Sequence, residues 1–225
     1  MLIENLKVSD LSDTMTDCLY NLMKVTYEGV TYHDFVNDLL SKDTVFIIRN
    51  EGKIIGFSSL ARRGALDKEL EFFFSGDTMI LPEYWGKANL HFAIKRFIQN
   101  TASKRKIYVL ASMHPRTYFI IKNIFRNEVA PTITPRNNSV LSYGKIADLF
   151  IKCFPEIELI ATHSTEEYLF TISKYSLQRD VLEFQNAYSS RLGKLYQNIN
   201  PRYAEKFEVI SFHLADDSRD ELQNS

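Results

Sequence analysis

Residues 81–97 read LPEYWGKANLHFAIKRF. An apolar run ends at Leu81, Pro82 turns the chain, and Gly86-Lys87 precedes an amphipathic stretch. Leu90, Ala93, Ile94, Phe97 and Ile98 recur at the period of a helix and form its core face. A strand, a glycine turn and a helix start in succession can cradle a phosphate. Open N–H groups and the helix dipole both favour an anion there. Such cradles usually carry two or three glycines, and this one carries Gly86 alone. What the stretch does therefore depends on the elements around it.

Upstream, LIENLKV (2–8) alternates as a short strand. Ser9 or Ser12 caps a helix running to about Tyr27, and Thr31 caps a second one ending near Ser41. Two β-rich runs flank Asn50-Glu51-Gly52-Lys53, the pattern of a hairpin. A longer strand follows over about 69–80, interrupted by Ser75-Gly76-Asp77 as at a bulge. Downstream of the cradle helix, KIYVLASM (106–113) is a continuous apolar run, as in a buried parallel strand. His114-Pro115 turns into another helix, RTYFIIKNIF. NEVAPTITPRNN (127–138) reads as a loop and KIADLFIKCF (145–154) as a short helix. The apolar spacing from about Ser164 to Asn198 predicts one long helix, and EVISFHL (208–214) predicts a last strand.

The 225 residues, 45% of them hydrophobic, suffice for one sizeable core. No Gly- or Ser-rich linker marks a second domain. The net charge of -1 provides no field toward nucleic acid or membrane, and neither partner is expected. The basic run Lys104-Arg105-Lys106 reads as a solvated turn. The N-terminus lacks the apolar core of a signal peptide, and no run approaches the ~20 apolar residues of a membrane span. A cytoplasmic protein is expected, with Cys18 and Cys153 as buried thiols. His33, His91, His163 and His213 lack metal-ligand spacing, so no metal is expected. There is no G-x-S-x-G elbow, no P-loop and no G-x-G-x-x-G fingerprint, which argues against a serine hydrolase, a P-loop NTPase and a Rossmann dehydrogenase.

The element order resembles that of the GCN5-related N-acetyltransferase (GNAT) superfamily: strand, two helices, hairpin, long strand, Pro-turn, helix, parallel strand, helix. LPEYWGKANL is similar to that family's hPxYRGKGhG loop, where h is apolar; Pro82, Tyr84, Gly86 and Lys87 match. Trp85 stands for the usual Gln or Arg, Ala88 for the central Gly, and Leu90 for the last Gly or Ala. HPRTYFIIKNIF, APTITP, IADLF and INPRYAEKFEVISFHL extend a looser resemblance over most of the chain.

The resemblance implies an α/β (α+β) fold: a mixed, mostly antiparallel sheet flanked by helices, here with a long C-terminal helix. The whole chain, 1–225, would be one acyltransferase domain. Its core would span about 1–135, its C-terminal elaboration about 136–215, and its frayed tail 216–225. The implied activity is direct transfer of an acetyl or longer acyl group from coenzyme A to a small-molecule or peptide amine. Trp85, Gly86, Lys87, Ala88, Asn89 and Leu90 would hold the pyrophosphate of acetyl-CoA or another acyl-CoA. Met79, Ile80 and Leu81 would pair with the pantetheine arm. A base would deprotonate the amine and an acid would protonate the leaving thiolate. Glu71, His114 and Tyr118 are the candidates, with Asp77 as an alternative base and Arg116 as a contact to a phosphate or to a substrate carboxylate. The long helix suits either a lid over the acceptor pocket or a homodimer interface. The missing glycines leave two alternatives: a catalytically silent GNAT-like binding module, or an acyltransferase that takes its donor from an acyl-carrier protein. Leu90, if it faces the loop, would crowd a diphosphate but not the single phosphate of a carrier arm.

Overall fold

The hairpin turn at Glu51 and Gly52 has both residues at positive φ, +49° and +78°, as a type I′ turn requires. That turn sets the register of the sheet around it. The computed structural model describes residues 1–64, 70–102, 105–112, 114–125, 128–130, 143–161, 169–173, 175–177, 191–202 and 205–215. Among them the first elements are β1 (Leu2–Lys7), α1 (Asp13–Thr26), β2 (Tyr27–Glu28), α2 (Tyr32–Leu40), β3 (Thr44–Asn50), β4 (Lys53–Gly64) and β5 (Leu70–Ile80). Then come α3 (Leu90–Gln99), β6 (Arg105–Ser112), α4 (Pro115–Phe125), β7 (Glu128–Ala130) and α5 (Tyr143–Cys153). The last are β8 (Ile160–Ala161), β9 (Leu169–Ile172), β10 (Ser176–Leu177), α6 (Arg191–Ile199) and β11 (Phe207–Leu214).

The main sheet has the order β1-β3-β4-β5-β6-β11-β9-β8, with β7 also against β11. All its pairs are antiparallel except β5–β6, which is parallel. β2 and β10 form a separate two-stranded ladder. This is the mixed, mostly antiparallel sheet flanked by helices that the GNAT resemblance implies. KIYVLASM is the expected buried strand, parallel to β5 on one side and antiparallel to β11 on the other.

Two local devices start the first helices. Ser12 Oγ accepts from Met15 N–H at 3.2 Å, and Thr31 Oγ1 accepts from Asp34 N–H at 3.1 Å. Each satisfies one N–H that the helix itself cannot. Ser12→Ala should lower the unfolding free energy by about 1 kcal/mol. Urea denaturation checks this, with the slope unchanged if only the cap is lost.

The two faces of the sheet pack on different helices. Phe73, Tyr108 and Leu110 lie with Leu90, Ile94 and Ile98 of α3 and with Ile121 and Phe125 of α4. Phe72, Ile107, Val109, Ile210 and Phe212 lie with Ile146 and Phe150 of α5. Phe57 packs with α1 and α2, and Ala61 packs with α5. Those two residues are four apart on β4, so α1, α2 and α5 share the second face.

The long helix expected over 164–198 is not found in the described residues. Leu169–Ile172 is a strand along β11, Ser176–Leu177 pairs with β2, and among the described residues of this stretch helix covers Arg191–Ile199. The open edge of β11 explains the difference. Pairing there buries Phe170 among Tyr118, Tyr196, Ile199 and Phe207, which local periodicity cannot anticipate. Residues 162–168 and 178–190 lie outside the described residues. The expected loop also contains a short strand, Glu128–Ala130, against β11. Cys18 and Cys153 are free thiols, half-buried rather than fully buried.

Candidate functional site

The site begins with a defect in the sheet. β5 and β6 pair from Leu70–Arg105 to Ser75–Leu110. β5 then continues to Ile80 and β6 to Ser112 without pairing to each other. A bulge marks the point of divergence. Ser58 opposes Thr78 and Leu60 opposes Ser75, so Gly76 and Asp77 together oppose Ser59. An extra residue bends and twists its strand, which here turns β5 away from β6. This is the bulge expected at Ser75-Gly76-Asp77. A Cβ at Gly76 would lie 2.5 Å from both Lys42 Cε and Ser59 Oγ, so any side chain here would displace one or both.

A cavity of about 1280 Å³ lies at the gap and is lined by residues from both faces of the sheet. On the α3/α4 face it is lined by Ile80, Trp85, Gly86, Ala88, Asn89, His91, Phe92, His114 and Arg116. On the α1/α2/α5 face it reaches Tyr27, Asp34, Asp38, Lys42, Asp77, Glu156, Glu158, Tyr175 and Glu208. Apolar side chains, among them Phe74, Phe154 and Ile157, also line it.

On the first face, Gly86 sits at φ +75°, in the left-handed region that favours glycine. A Cβ there would lie 3.3 Å from an Arg116 guanidinium nitrogen. The Asn89 side chain does not cap α3. The first helical bond, Ala93 N–H to Asn89 C=O, leaves the N–H groups of residues 90–92 directed out of the helix end. α4 begins at the same mouth, where His114 Nδ1 accepts from Arg116 N–H at 3.2 Å. That bond makes Nε2 the protonated nitrogen of the neutral ring. Two helix N-termini and the Arg116 guanidinium thus converge on one opening. This charge arrangement fits a diphosphate.

Leu90 does not crowd that opening. Its side chain is fully buried in the α3/α4 core, and Ala88 packs against the same cluster. Lys87 turns back, with Nζ donating to Glu83 C=O at 2.8 Å and lying over the Tyr84 ring. Of the nine expected cofactor residues, Met79, Ile80, Trp85, Gly86, Ala88 and Asn89 line the cavity. Leu81, Lys87 and Leu90 do not. Leu81 N–H donates to Ile55 C=O at 2.9 Å, toward β4. The Ile80 carbonyl on the same peptide therefore points the opposite way, into the gap. There the Trp85 indole N–H donates to it at 2.6 Å. The Arg116 guanidinium lies 5.9 Å from the Trp85 ring centre. His91 is held neutral, because burial pushes its pKa down to about 4.

Of the proton-transfer candidates, His114 and the alternative base Asp77 are cavity residues, and Glu71 and Tyr118 are not. Glu71 lies toward the other end of β5, where it still pairs with Lys106 of β6. Its carboxylate holds Arg62 with two bonds, Nε at 2.6 Å and a terminal nitrogen at 3.1 Å. Tyr118 is fully buried between Phe119 and Tyr196. The helix face that carries it packs on α6 rather than on the cavity.

The second face holds groups that sequence reasoning passed over. Glu208 is the second residue of β11, and its pKa is pushed up to about 7, first by burial and then by Asp77. Tyr27 and Tyr175 face each other with ring centres 6.3 Å apart. Burial raises the pKa of both, followed by Asp77 and Glu208 for Tyr27 and by Asp77, Asp38 and Asp34 for Tyr175. Lys42 Nζ is held by Asp38 Oδ1 at 2.8 Å. A signal for Glu208 did exist. It precedes Ile210 and Phe212 at spacings of two and four, so it shares their inward face. Among the described residues, no group of three His, Cys, Asp or Glu side chains is arranged to hold a metal. Among them also, no helix is long and apolar enough to cross a membrane.

No protein-family model matches the sequence, and no curated protein matches it. Among solved structures, the fold is similar to a GNAT family N-acetyltransferase from Escherichia coli in complex with CoA. Identity is 13% and the TM-score 0.40, over 53% of this chain and 66% of that one. It is similar to AAC(6')-Iy in complex with the bisubstrate analogue CoA-S-monomethyl-acetylneamine, at 14% identity and a TM-score of 0.46. That match covers 62% of this chain and 100% of the other. A ribosomal-protein-alanine N-acetyltransferase from Brucella melitensis is similar at 14% identity and a TM-score of 0.43, over 64% of this chain and 100% of that one. These likenesses concern the fold.

Proposed function

We propose that this chain is a divergent GNAT-type enzyme that transfers an acetyl or longer acyl group from coenzyme A to an amine. One observation carries the reading: one cavity at the β5–β6 gap is lined both by the anion-friendly residues of the α3/α4 face and by the acidic residues of the other face. Donor and acceptor could then enter from opposite faces and meet in the gap. Held in that way, they react as if in one molecule.

On the donor face, Gly86 and the N–H groups at the start of α3 would take the pyrophosphate, with Arg116 as the countercharge. The backbone of 78–80 would lie along the pantetheine arm. When bound, coenzyme A supplies the activated thioester. His114, with its proton on Nε2, is the hydrogen-bond donor we assign to the departing thiolate. On the acceptor face, Asp34, Asp38, Asp77, Glu156 and Glu158 favour a cationic amine. That fits a small molecule or the exposed amine of a peptide.

A second reading has its own observation. The Trp85 indole already occupies the Ile80 carbonyl that faces the gap, where an amide of the pantetheine arm would otherwise donate. If that bond persists, the chain is a binding module without transferase activity. Isothermal titration with acetyl-CoA tests the proposal. Micromolar binding with one site per chain is expected, and no binding of acetyl-CoA or longer acyl-CoAs would sink it.

A further inference from the structure

We propose that Glu208 is the general base for the incoming amine and that Asp77 is its positioning partner across the gap. The inference rests on the acyltransferase reading above. It assigns the base to the last strand of the sheet rather than to the strand that precedes the cofactor loop.

The placement follows from register. Val209 pairs with Ser112, the last residue of β6. Glu208 is therefore the first residue of β11 beyond the end of β6, where the sheet is open. Its inward neighbours Ile210 and Phe212 point to the α5 face, the acceptor side, and Glu208 lines the cavity there. Asp77 reaches the same cavity from the bulge on β5. Each carboxylate thus comes from one edge of the gap.

The electrostatics agree with the geometry. Two carboxylates facing one buried space do not both ionise freely, so one holds a proton longer. Burial and the Asp77 charge raise Glu208, while the Ser173 side chain acts in the opposite sense. Tyr27 of β2 and Tyr175 stay neutral at physiological pH, because both are shifted upward. Lys42 is engaged by Asp38. Glu156 and Glu158, which follow α5, add negative charge to the same cavity. The result is a carboxylate of intermediate basicity, suited to take a proton near neutral pH. Glu71 lies outside the cavity, and its carboxylate is paired with Arg62.

The step balances as follows. An N–H bond of the substrate ammonium breaks, and its proton passes to a Glu208 carboxylate oxygen. The freed nitrogen lone pair forms the C–N bond to the thioester carbonyl carbon. The C–S bond breaks and the thiolate departs with that electron pair. The second amine proton leaves as the amide forms and passes to the departing thiolate sulfur, giving the thiol, while His114 Nε2–H holds that sulfur by a hydrogen bond and keeps its proton.

The first test needs no acceptor. Carbon-13 NMR of the glutamate side-chain carboxyls is followed against pH, with Glu208→Gln used to assign the signal. The expected midpoint is about 7. Asp77→Asn removes the like charge and should move that midpoint down. A Glu208 midpoint in the ordinary carboxylate range would overturn the proposal. The second test follows acetyl transfer from acetyl-CoA to spermidine or to a lysine-rich peptide. The wild-type rate should rise with pH through one ionisation near that midpoint. Glu208→Gln should lower it by about 10²–10⁴-fold with acetyl-CoA affinity unchanged. Equal transfer by Glu208→Gln and wild type overturns the base assignment and leaves the transferase reading intact. Wild type that binds acetyl-CoA but acetylates neither probe at any pH also overturns it. Failure of wild type to bind acetyl-CoA sinks the transferase reading itself.

Discussion

Gly86→Asp should abolish acetyl-CoA binding, with the dissociation constant rising at least ~100-fold, or ~2.7 kcal/mol. Two effects contribute, and their sizes differ. The left-handed backbone at φ +75° costs a non-glycine residue about 1–2 kcal/mol, less for aspartate than for most. The larger effect is charge. A carboxylate at this position would sit beside Arg116, since even a Cβ lies 3.3 Å from its guanidinium. It would occupy the cation that the pyrophosphate needs and repel the phosphates directly. Gly86→Ala separates the two effects, because it keeps the strain and omits the charge. Isothermal titration of both variants should rank wild type above alanine and alanine above aspartate. Wild-type affinity in Gly86→Asp would show that this turn is not the cradle.

Phe150→Ala should be the most destabilising single change on α5. Its ring centre lies 5.7 Å from those of Phe72 and Phe74, 4.8 Å from Phe154 and 5.5 Å from Phe212. The side chain is fully buried. Removing a buried phenyl ring costs about 3–5 kcal/mol in lost transfer energy and cavity. In a domain of this size that lowers the melting temperature by roughly 6–20 °C. The shape of the transition carries further information. α5 lies in the stretch expected to be a C-terminal elaboration, and its phenylalanines pack on strands β5, β6 and β11. One transition, shifted as a whole, is expected if 1–225 is a single cooperative domain. A separate early transition would mean that the elaboration melts by itself.

Most of the fold was legible wherever the deciding forces are local. Ser12 and Thr31 cap helices because their hydroxyls reach N–H groups three residues on. Asn50–Lys53 turns tightly because its glycine tolerates positive φ. Leu90, Ile94 and Ile98 declared their core face by spacing, and that face explains why Leu90 leaves the loop open. The failures have a different origin. Leu169–Ile172 is a strand because β11, about forty residues later in the chain, offers it an edge. Glu71 and Glu208 are both strand glutamates in sequence. Only the register of β5 on β6 and of β11 on β6 separates the one bound by Arg62 from the one in the gap. Tyr118 occupies the expected helix, but the docking of α6 decides which of its faces is buried.

The chain has a single tryptophan, and it stands at the mouth of the cavity. Its indole N–H is anchored on β5 and its ring lies beside the Arg116 cation. Emission excited at wavelengths beyond tyrosine absorption therefore originates from this one loop. A ligand that enters between α3 and β5 must exchange the indole's carbonyl partner, draw away the guanidinium, or both. Either event changes the polarity around the excited ring and shifts its spectrum. The molecule thus carries a built-in optical probe of loop occupancy, usable in stopped-flow without a label.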